Sequence, residues 1–283
     1  MAEVLKGKEV VSQLNDEIKG RSENLQKQGI QPVLAVVRLG ERPDDLAYER
    51  GLTKRAEKTG VTVKKCVYPE NLSQDKLLEE IGKLNQDDSV HGILIFRPLP
   101  EGIDDRAVRS ALAPEKDVDG ITDASQAGLY SGSGEGFSPC TAEACIRMLT
   151  HYQIPVEGKR AVVIGRSQVI GKPVSLLLLA RNATVTICHS RTENLPEVCR
   201  EADILIAAAG HAGTVTADCF REGQTVIDVA VNVGADGTMC GDADYDAALK
   251  TVSAVTPVPG GVGTVTSSVL MDHVVTAAER AQK

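Results

Sequence analysis

Tryptophan is absent from this chain of 283 residues, which holds only three phenylalanines and five tyrosines. So few rings leave an aliphatic core, and they weigh against the base-stacking platforms of single-stranded nucleic-acid binders. An excess of positive charge is missing too. The formal net charge is -8, which weighs against a phosphate-backbone or membrane-surface partner. The seven cysteines, at 66, 140, 145, 188, 199, 219 and 240, form no Cys-x-x-Cys pair, and no two of the five histidines have helical metal-ligand spacing. Neither a disulfide framework nor a metal site is expected. Several cysteines lie in apolar runs, as Cys188 does in TVTICHS, and read as buried, inert thiols. The opening MAEVLKGKEV has no apolar signal core, and the densest apolar stretch, VSLLLLA at 174–180, is too short to span a bilayer. A reducing cytoplasm is the expected location, with no nucleic-acid or membrane partner.

What is present is an ordinary globular composition, 42% hydrophobic and 25% charged, and at about 150 residues per domain the length suggests two domains. Helical and apolar segments alternate. A helical pattern over 7–28 precedes the run VLAVVRL at 33–39, and a second helix over 44–58 precedes VTVKKCVY. Ser73 opens an amphipathic helix bearing Leu77, Leu78, Ile81 and Leu84, followed by the short strand GILIF at 92–96. Repeated β-α units favour parallel sheets covered by helices. The pattern breaks over 114–140, rich in Gly, Ser and Asp, which reads as a functional or interdomain loop. Thr141 is expected to cap the next helix. A second series then follows, with strands AVVIG, TVTICHS, DILIAAAG, TVIDVAVN and AVTPV, and a last helix covers about 266–281.

The segment RAVVIGRSQVIGKPVSLLLLA carries a ligand signal. A strand ends at Gly165, and Gly171 with Pro173 opens an apolar helix. Glycines there admit a pyrophosphate close to the backbone, and a helix N-terminus offers free N–H groups. The spacing is not the usual Gly-x-Gly-x-x-Gly, so the motif is only moderately specific. NAD enzymes place an acidic residue on the adenine ribose at the end of the next strand. This chain has His189, Ser190, Arg191 and Thr192 there, with no carboxylate before Glu193. Ser190, Arg191 and Arg166 suit a 2′-phosphate, favouring NADP over NAD. Gly210 and Val231 end later strands and are candidate walls of the cofactor site, or simply strand ends.

TPVPGGVGTVT at 256–266 is stiffened by Pro257 and Pro259 and opened by Gly260, Gly261 and Gly263. The loop at 114–123 carries Lys116, Asp117, Asp119 and Asp123. PEKDVDG, GRSQVIGKP and TPVPGGVG, in that order, resemble the methylenetetrahydrofolate dehydrogenase/cyclohydrolase family over essentially the whole chain. The resemblance implies two α/β domains around a cleft, the C-terminal one Rossmann-like with a parallel sheet. The folate domain would comprise residues 1–140 plus 267–283, with 141–266 binding NADP. It also implies a homodimer acting on tetrahydrofolate derivatives, with hydride transfer from 5,10-methylenetetrahydrofolate to NADP. Bifunctional members further hydrolyse the methenyl product. By motif match, Tyr48 is the tyrosine whose ring stacks near the folate and Asp119 binds the pterin end, and these two are the candidate catalytic residues. The loop from Pro257 through Pro259, Gly260 and Gly261 to Gly263 lies on the folate side. Gly165, Arg166, Ser167, Ser190 and Val231 are matched to the cofactor.

The departures are informative. Bifunctional members carry Tyr-x-x-x-Lys on the second helix, on one face; here Leu52 occupies the lysine position. Lys54 points away from Tyr48 at about 100° per residue, and Arg55 lies a turn further on and stays charged. Phe96 stands where the family has the glutamine that bonds that lysine. Losing both polar partners together can be nearly neutral, whereas orphaning one costs about 1–3 kcal/mol. The expectation is a dehydrogenase with weak or absent cyclohydrolase activity. The alternatives are a bifunctional enzyme with a rewired site and a non-catalytic folate- or NADP-binding protein. Asp45, His211, Thr264 and Val265 also depart from the family, as does the stretch after Asp123, which keeps Gly128 and Leu129.

Overall fold

A computed structural model describes residues 1–234 and 237–282. Its strands are β1 (Glu3–Val4), β2 (Val33–Leu39), β3 (Thr62–Tyr68), β4 (Gly92–Ile95), β5 (Arg160–Ile164), β6 (Thr184–Cys188), β7 (Ile204–Ala207), β8 (Thr225–Asp228), β9 (Asn232–Val233), β10 (Met239–Cys240) and β11 (Ala254–Val255). The helices are α1 (Gly7–Lys27), α2 (Pro43–Thr59), α3 (Gln74–Gln86), α4 (Asp105–Ala111), α5 (Asp123–Ser131), α6 (Cys140–His151), α7 (Gly171–Leu179), α8 (Leu195–Arg200), α9 (Tyr245–Thr251) and α10 (Thr266–Arg280). Among the described residues no helix is long and apolar enough to cross a membrane.

The chain divides into two compact units, Met1–Ser12 with Thr141–Thr266 and Gln13–Cys140 with Ser267–Lys283. The second holds the parallel sheet β3-β2-β4. The central strand β2 is apolar almost throughout and is buried along nearly its whole length, as a parallel strand covered on both faces should be. Ala35, Val37, Ile93 and Ile95 pack there against Leu77, Ile81 and Leu84 of α3. The Ser73 side chain accepts from the Lys76 amide to start that helix, as the sequence suggests. α2 begins on Pro43, with Asp44 and Asp45 in its first turn, and ends at Gly60 with φ 75°, a left-handed stop suited to glycine.

The first unit is Rossmann-like, a six-stranded sheet in the order β1-β11-β8-β7-β5-β6 whose pairings are parallel. The first twelve residues, expected with the folate half, belong to this unit because β1 pairs with β11.

The stretch 114–140 is less irregular than its composition suggests, for it contains α5. Thr122 caps this helix by accepting from the Ser125 amide at 3.1 Å, and Gly132 ends it with φ 70°. Its buried face is Ser125 and Gly128, so no apolar stripe announces it. A Cβ at Gly128 would lie 2.1 Å from the Glu135 carbonyl oxygen, so the helix packs through small residues. The following helix starts at Cys140, leaving the expected cap Thr141 inside its first turn.

Candidate functional site

Four charged residues of the 114–123 loop, Lys116, Asp117, Asp119 and Asp123, separate into different tasks. The Lys116 ammonium donates to the Leu84 and Asp87 carbonyls at 3.1 and 2.8 Å, which fastens the loop. The buried Asp117 carboxylate accepts from the Ile121 and Thr122 amides and the Ser125 hydroxyl at 3.0, 2.8 and 2.7 Å. Asp123 is exposed and pairs with Arg109 at 3.0 Å. Only Asp119 stands apart from these scaffolding bonds. Burial pushes its carboxyl up to about 6, with the Arg97 cation opposing and Asp117 adding to the rise. The Cys140 thiol hydrogen-bonds Asp119 and reaches the Val118 carbonyl at 3.3 Å, with His273 Nδ1 2.8 Å from the same oxygen.

Tyr48 and Phe96 are neighbours, their ring centroids 5.4 Å apart and tilted by 51°. Tyr48 is 45% exposed, yet burial around its hydroxyl, and next the Asp119 charge, hold the phenol above its ordinary value. It therefore remains a neutral O–H. One helical turn on, Leu52 is 0% exposed, and Phe96 is buried as well. Lys54 is exposed, and Arg55 is half-buried with Nε donating to Ser267 Oγ at 3.3 Å. Burial lowers the Arg55 value, but a guanidinium so basic remains charged. Among the described residues of α2, neither Lys54 nor Arg55 thus offers a proton-exchanging ammonium beside Tyr48. Arg97 was not apparent as a site residue in the sequence; its signal there is a lone cation inside the otherwise apolar GILIFRPLP. It also contacts Asp105 at 3.4 Å.

In the Rossmann-like unit, β5 ends at a turn where Gly165 has φ 127°. A Cβ on Gly171 would sit 2.2 Å from the Gly165 oxygen, so this glycine lets α7 close on the turn. The helix amides expected to be free are engaged. Ser167 Oγ accepts from the Ile170 and Gly171 amides at 3.1 and 3.5 Å, and the Ser167 carbonyl accepts from the Lys172 amide at 3.0 Å. Pro173 has no N–H. Ser167 thus shapes the turn and holds the start of α7. Gly171→Ala is expected to cost about 1–3 kcal/mol through overpacking, read as a lower thermal midpoint.

Gly165, Arg166, His189, Ser190, Leu195, Ala209 and His211 line much of a cavity of about 350 Å³. Arg166 and Ser190 meet there as expected, whereas the exposed Arg191 does not line it. His211, noted in the sequence only as a departure, joins them. Gly210 has φ 74°, with open space where a side chain would be, and its amide turns inward to Asp242 at 2.9 Å.

A second cavity, about 270 Å³, brings Val231 together with Asp228, Ala230 and the Pro257–Thr264 loop. Pro257, Pro259, Gly260, Gly261 and Gly263 all line it. The loop is anchored by the Gly7 amide donating to the Gly260 carbonyl at 2.8 Å. Thr264, one of the departures, closes the turn by donating to the Gly261 carbonyl at 2.7 Å. Exposed, apolar Val231 beside a glycine-rich loop suits a flat, largely apolar ring. The first cavity, whose lining includes the Arg166 guanidinium, the Ser190 and Thr214 hydroxyls and two imidazoles, suits a phosphorylated sugar. These donor sets fit the two ends of a dinucleotide phosphate.

Comparison with known proteins agrees in kind. The profile of the tetrahydrofolate dehydrogenase/cyclohydrolase catalytic domain matches residues 5–119, and that of the family's NAD(P)-binding domain matches residues 139–282. The bifunctional protein FolD of Carboxydothermus hydrogenoformans is 49% identical over 281 residues, covering 99% of this chain and 98% of the relative. The crystal structure of the bifunctional FolD methylenetetrahydrofolate dehydrogenase/cyclohydrolase from Campylobacter jejuni superposes with a TM-score of 0.96 at 37% identity, covering 99% of each chain. A Trypanosoma brucei methylenetetrahydrofolate dehydrogenase-cyclohydrolase, solved with NADP cofactor and an inhibitor, has a TM-score of 0.91 at 33% identity, covering 100% of this chain and 99% of its own.

Proposed function

Because the chain belongs to the tetrahydrofolate dehydrogenase/cyclohydrolase family, we propose that it oxidises 5,10-methylenetetrahydrofolate to the 5,10-methenyl form with NADP and has lost most or all methenyl hydrolysis. When bound, NADP supplies the hydride acceptor. Arg166, Ser190 and His211 would hold its phosphorylated ribose, and Val231 would wall the nicotinamide. Arg191 is not assigned a contact. Loss of a hydride leaves the one-carbon bridge cationic, a charge that ionised Asp119 favours. Tyr48, a neutral phenol, bounds the folate and takes no part in proton exchange. Hydride transfer depends on positioning and on no protein proton carrier. Hydrolysis is different, because attack of water on the bridge needs a group that gives and takes protons.

The observation that carries the reading is the burial of Leu52, one helical turn from Tyr48, together with that of Phe96 against the Tyr48 ring. The relatives named bifunctional favour the opposite reading, in which a rewired site hydrolyses as well. A pair of assays separates them. Purified protein is expected to reduce NADP with methylenetetrahydrofolate, while added methenyltetrahydrofolate decays no faster than in buffer. Hydrolysis well above the spontaneous rate overturns the loss of the second activity; NADP binding without turnover on any reduced folate overturns the first. A soluble homodimer of the cytoplasm completes the proposal, testable by sedimentation.

A further inference from the structure

Two buried carboxylates of the Rossmann-like unit, with no basic partner among the described residues, stand at its cavities. Asp242, fully buried just after β10, accepts from the Ala209 and Gly210 amides through Oδ2 at 2.7 and 2.9 Å. Its Oδ1 accepts from Asn232 Nδ2 at 3.0 Å. Asp228, at the end of β8, accepts from the Ala230, Asp242 and Ala243 amides at 3.3, 3.2 and 2.8 Å. The two are close enough that Asp242 adds to burial in raising the Asp228 value. Gly241 between them has no room for a side chain, since a Cβ there would lie 2.0 Å from Asp228 Oδ2.

Burying two like charges is costly, and apolar packing would hold strand ends together more cheaply. What these carboxylates add is direction. Together they fix the turn after β7, the segment after β8 and the return from β10, at the carboxyl ends of strands where doubly wound sheets take their ligands. Ala209 lines the first cavity, Asp228 and Ala230 line the second, and Asn232 follows Val231 in the chain. We propose that Asp242 and Asp228 are positioning residues for the dinucleotide. Bonded to Asn232 and to the amides of three chain segments, they set the spacing between the cavity for the phosphorylated ribose and the wall at Val231. The proposal rests on the NADP reading above.

In Asp242→Asn a neutral amide replaces the carboxylate, so the charge-assisted bonds from the Ala209 and Gly210 amides weaken and Asn232 must turn its side chain over to keep its own. Asn232→Ala removes a single contact from a half-buried side chain and is the milder variant. The test measures NADP affinity by calorimetry without folate, together with the two KM values in turnover. Asp242→Asn is expected to raise both the Kd and the KM for NADP about tenfold, and Asn232→Ala about threefold, for buried charged hydrogen bonds weakened or lost. The KM for methylenetetrahydrofolate should stay within about twofold of the wild-type value. Folded variants that bind NADP as the wild type does overturn the proposal, as does an equal rise in both KM values. If Asp242→Asn does not fold, Asn232→Ala decides by the same readings. A wild type that fails to bind NADP overturns the cofactor reading and the proposal together, whereas the variant results overturn the proposal alone.

Discussion

Leu52→Lys is expected to destabilise this protein by about 3–5 kcal/mol, the cost of an uncompensated buried charge. Leu52 is fully buried on α2, and Phe96, itself buried against Tyr48, has no polar group to receive an ammonium. Phe96→Gln alone should cost about 1–3 kcal/mol for an unsatisfied amide, before any loss of packing. If the two replacements arose as one exchange of a polar pair for an apolar one, the double variant should be more stable than the sum of the single effects predicts. A coupling of about 1–2 kcal/mol is expected from urea unfolding of the four proteins. Methenyltetrahydrofolate hydrolysis should appear only in the double variant, because the lysine needs a partner to hold it as a proton carrier. Strict additivity would show that the two positions do not act as a pair, and the joint-loss account would fall. Coupling without recovered hydrolysis would keep the pair and move the missing chemistry elsewhere.

The parts of the fold legible in the sequence were those in which burial writes a pattern. β2 is apolar because both of its faces are covered, and α3 shows a stripe because only one of its faces is. Helix α5 packs through Ser125 and Gly128, so it left no hydrophobic period to read. The pairing of β1 with β11 joins chain segments about 250 residues apart, which no local signal announces. Within the site, Gly165, Ser190 and Val231 were legible because a βα turn and strand ends have fixed places in a doubly wound sheet. Asp119 could be told from Asp117 only by motif match; spacing alone could not show that Asp117 is consumed by two amides and a hydroxyl. The engagement of the α7 amides by Ser167 was hidden for the same reason, since a serine in a turn can face either way. Arg97 escaped because a single arginine beside prolines resembles a solvated loop cation, and its effect on Asp119 depends on the fold.

That effect leads to the other large expectation. Asp119→Asn should lower kcat/KM for methylenetetrahydrofolate about 10²–10³-fold, the usual scale for removing one preorganised electrostatic group, with little change in NADP affinity. The wild-type rate should fall on the acid side, because burial pushes Asp119 up to about 6 and only the ionised form favours a cationic bridge. The Arg97 cation opposes that rise, so Arg97→Gln should move the acid limb of kcat/KM to higher pH. Asp119→Asn should abolish the limb. Stability runs the other way. A carboxyl raised above its unfolded value takes up a proton on folding, so its contribution is complete below the ordinary aspartate range. That contribution is lost as the pH rises through about 6. Between pH 5 and pH 7 the protein should therefore gain activity while this group withdraws stability, and in Asp119→Asn both trends should flatten. A pH–rate profile and a set of thermal midpoints on three proteins decide it. An acid limb unmoved by Arg97→Gln would mean that Arg97 serves Asp105 alone, and a limb that survives Asp119→Asn would assign the titration to another group.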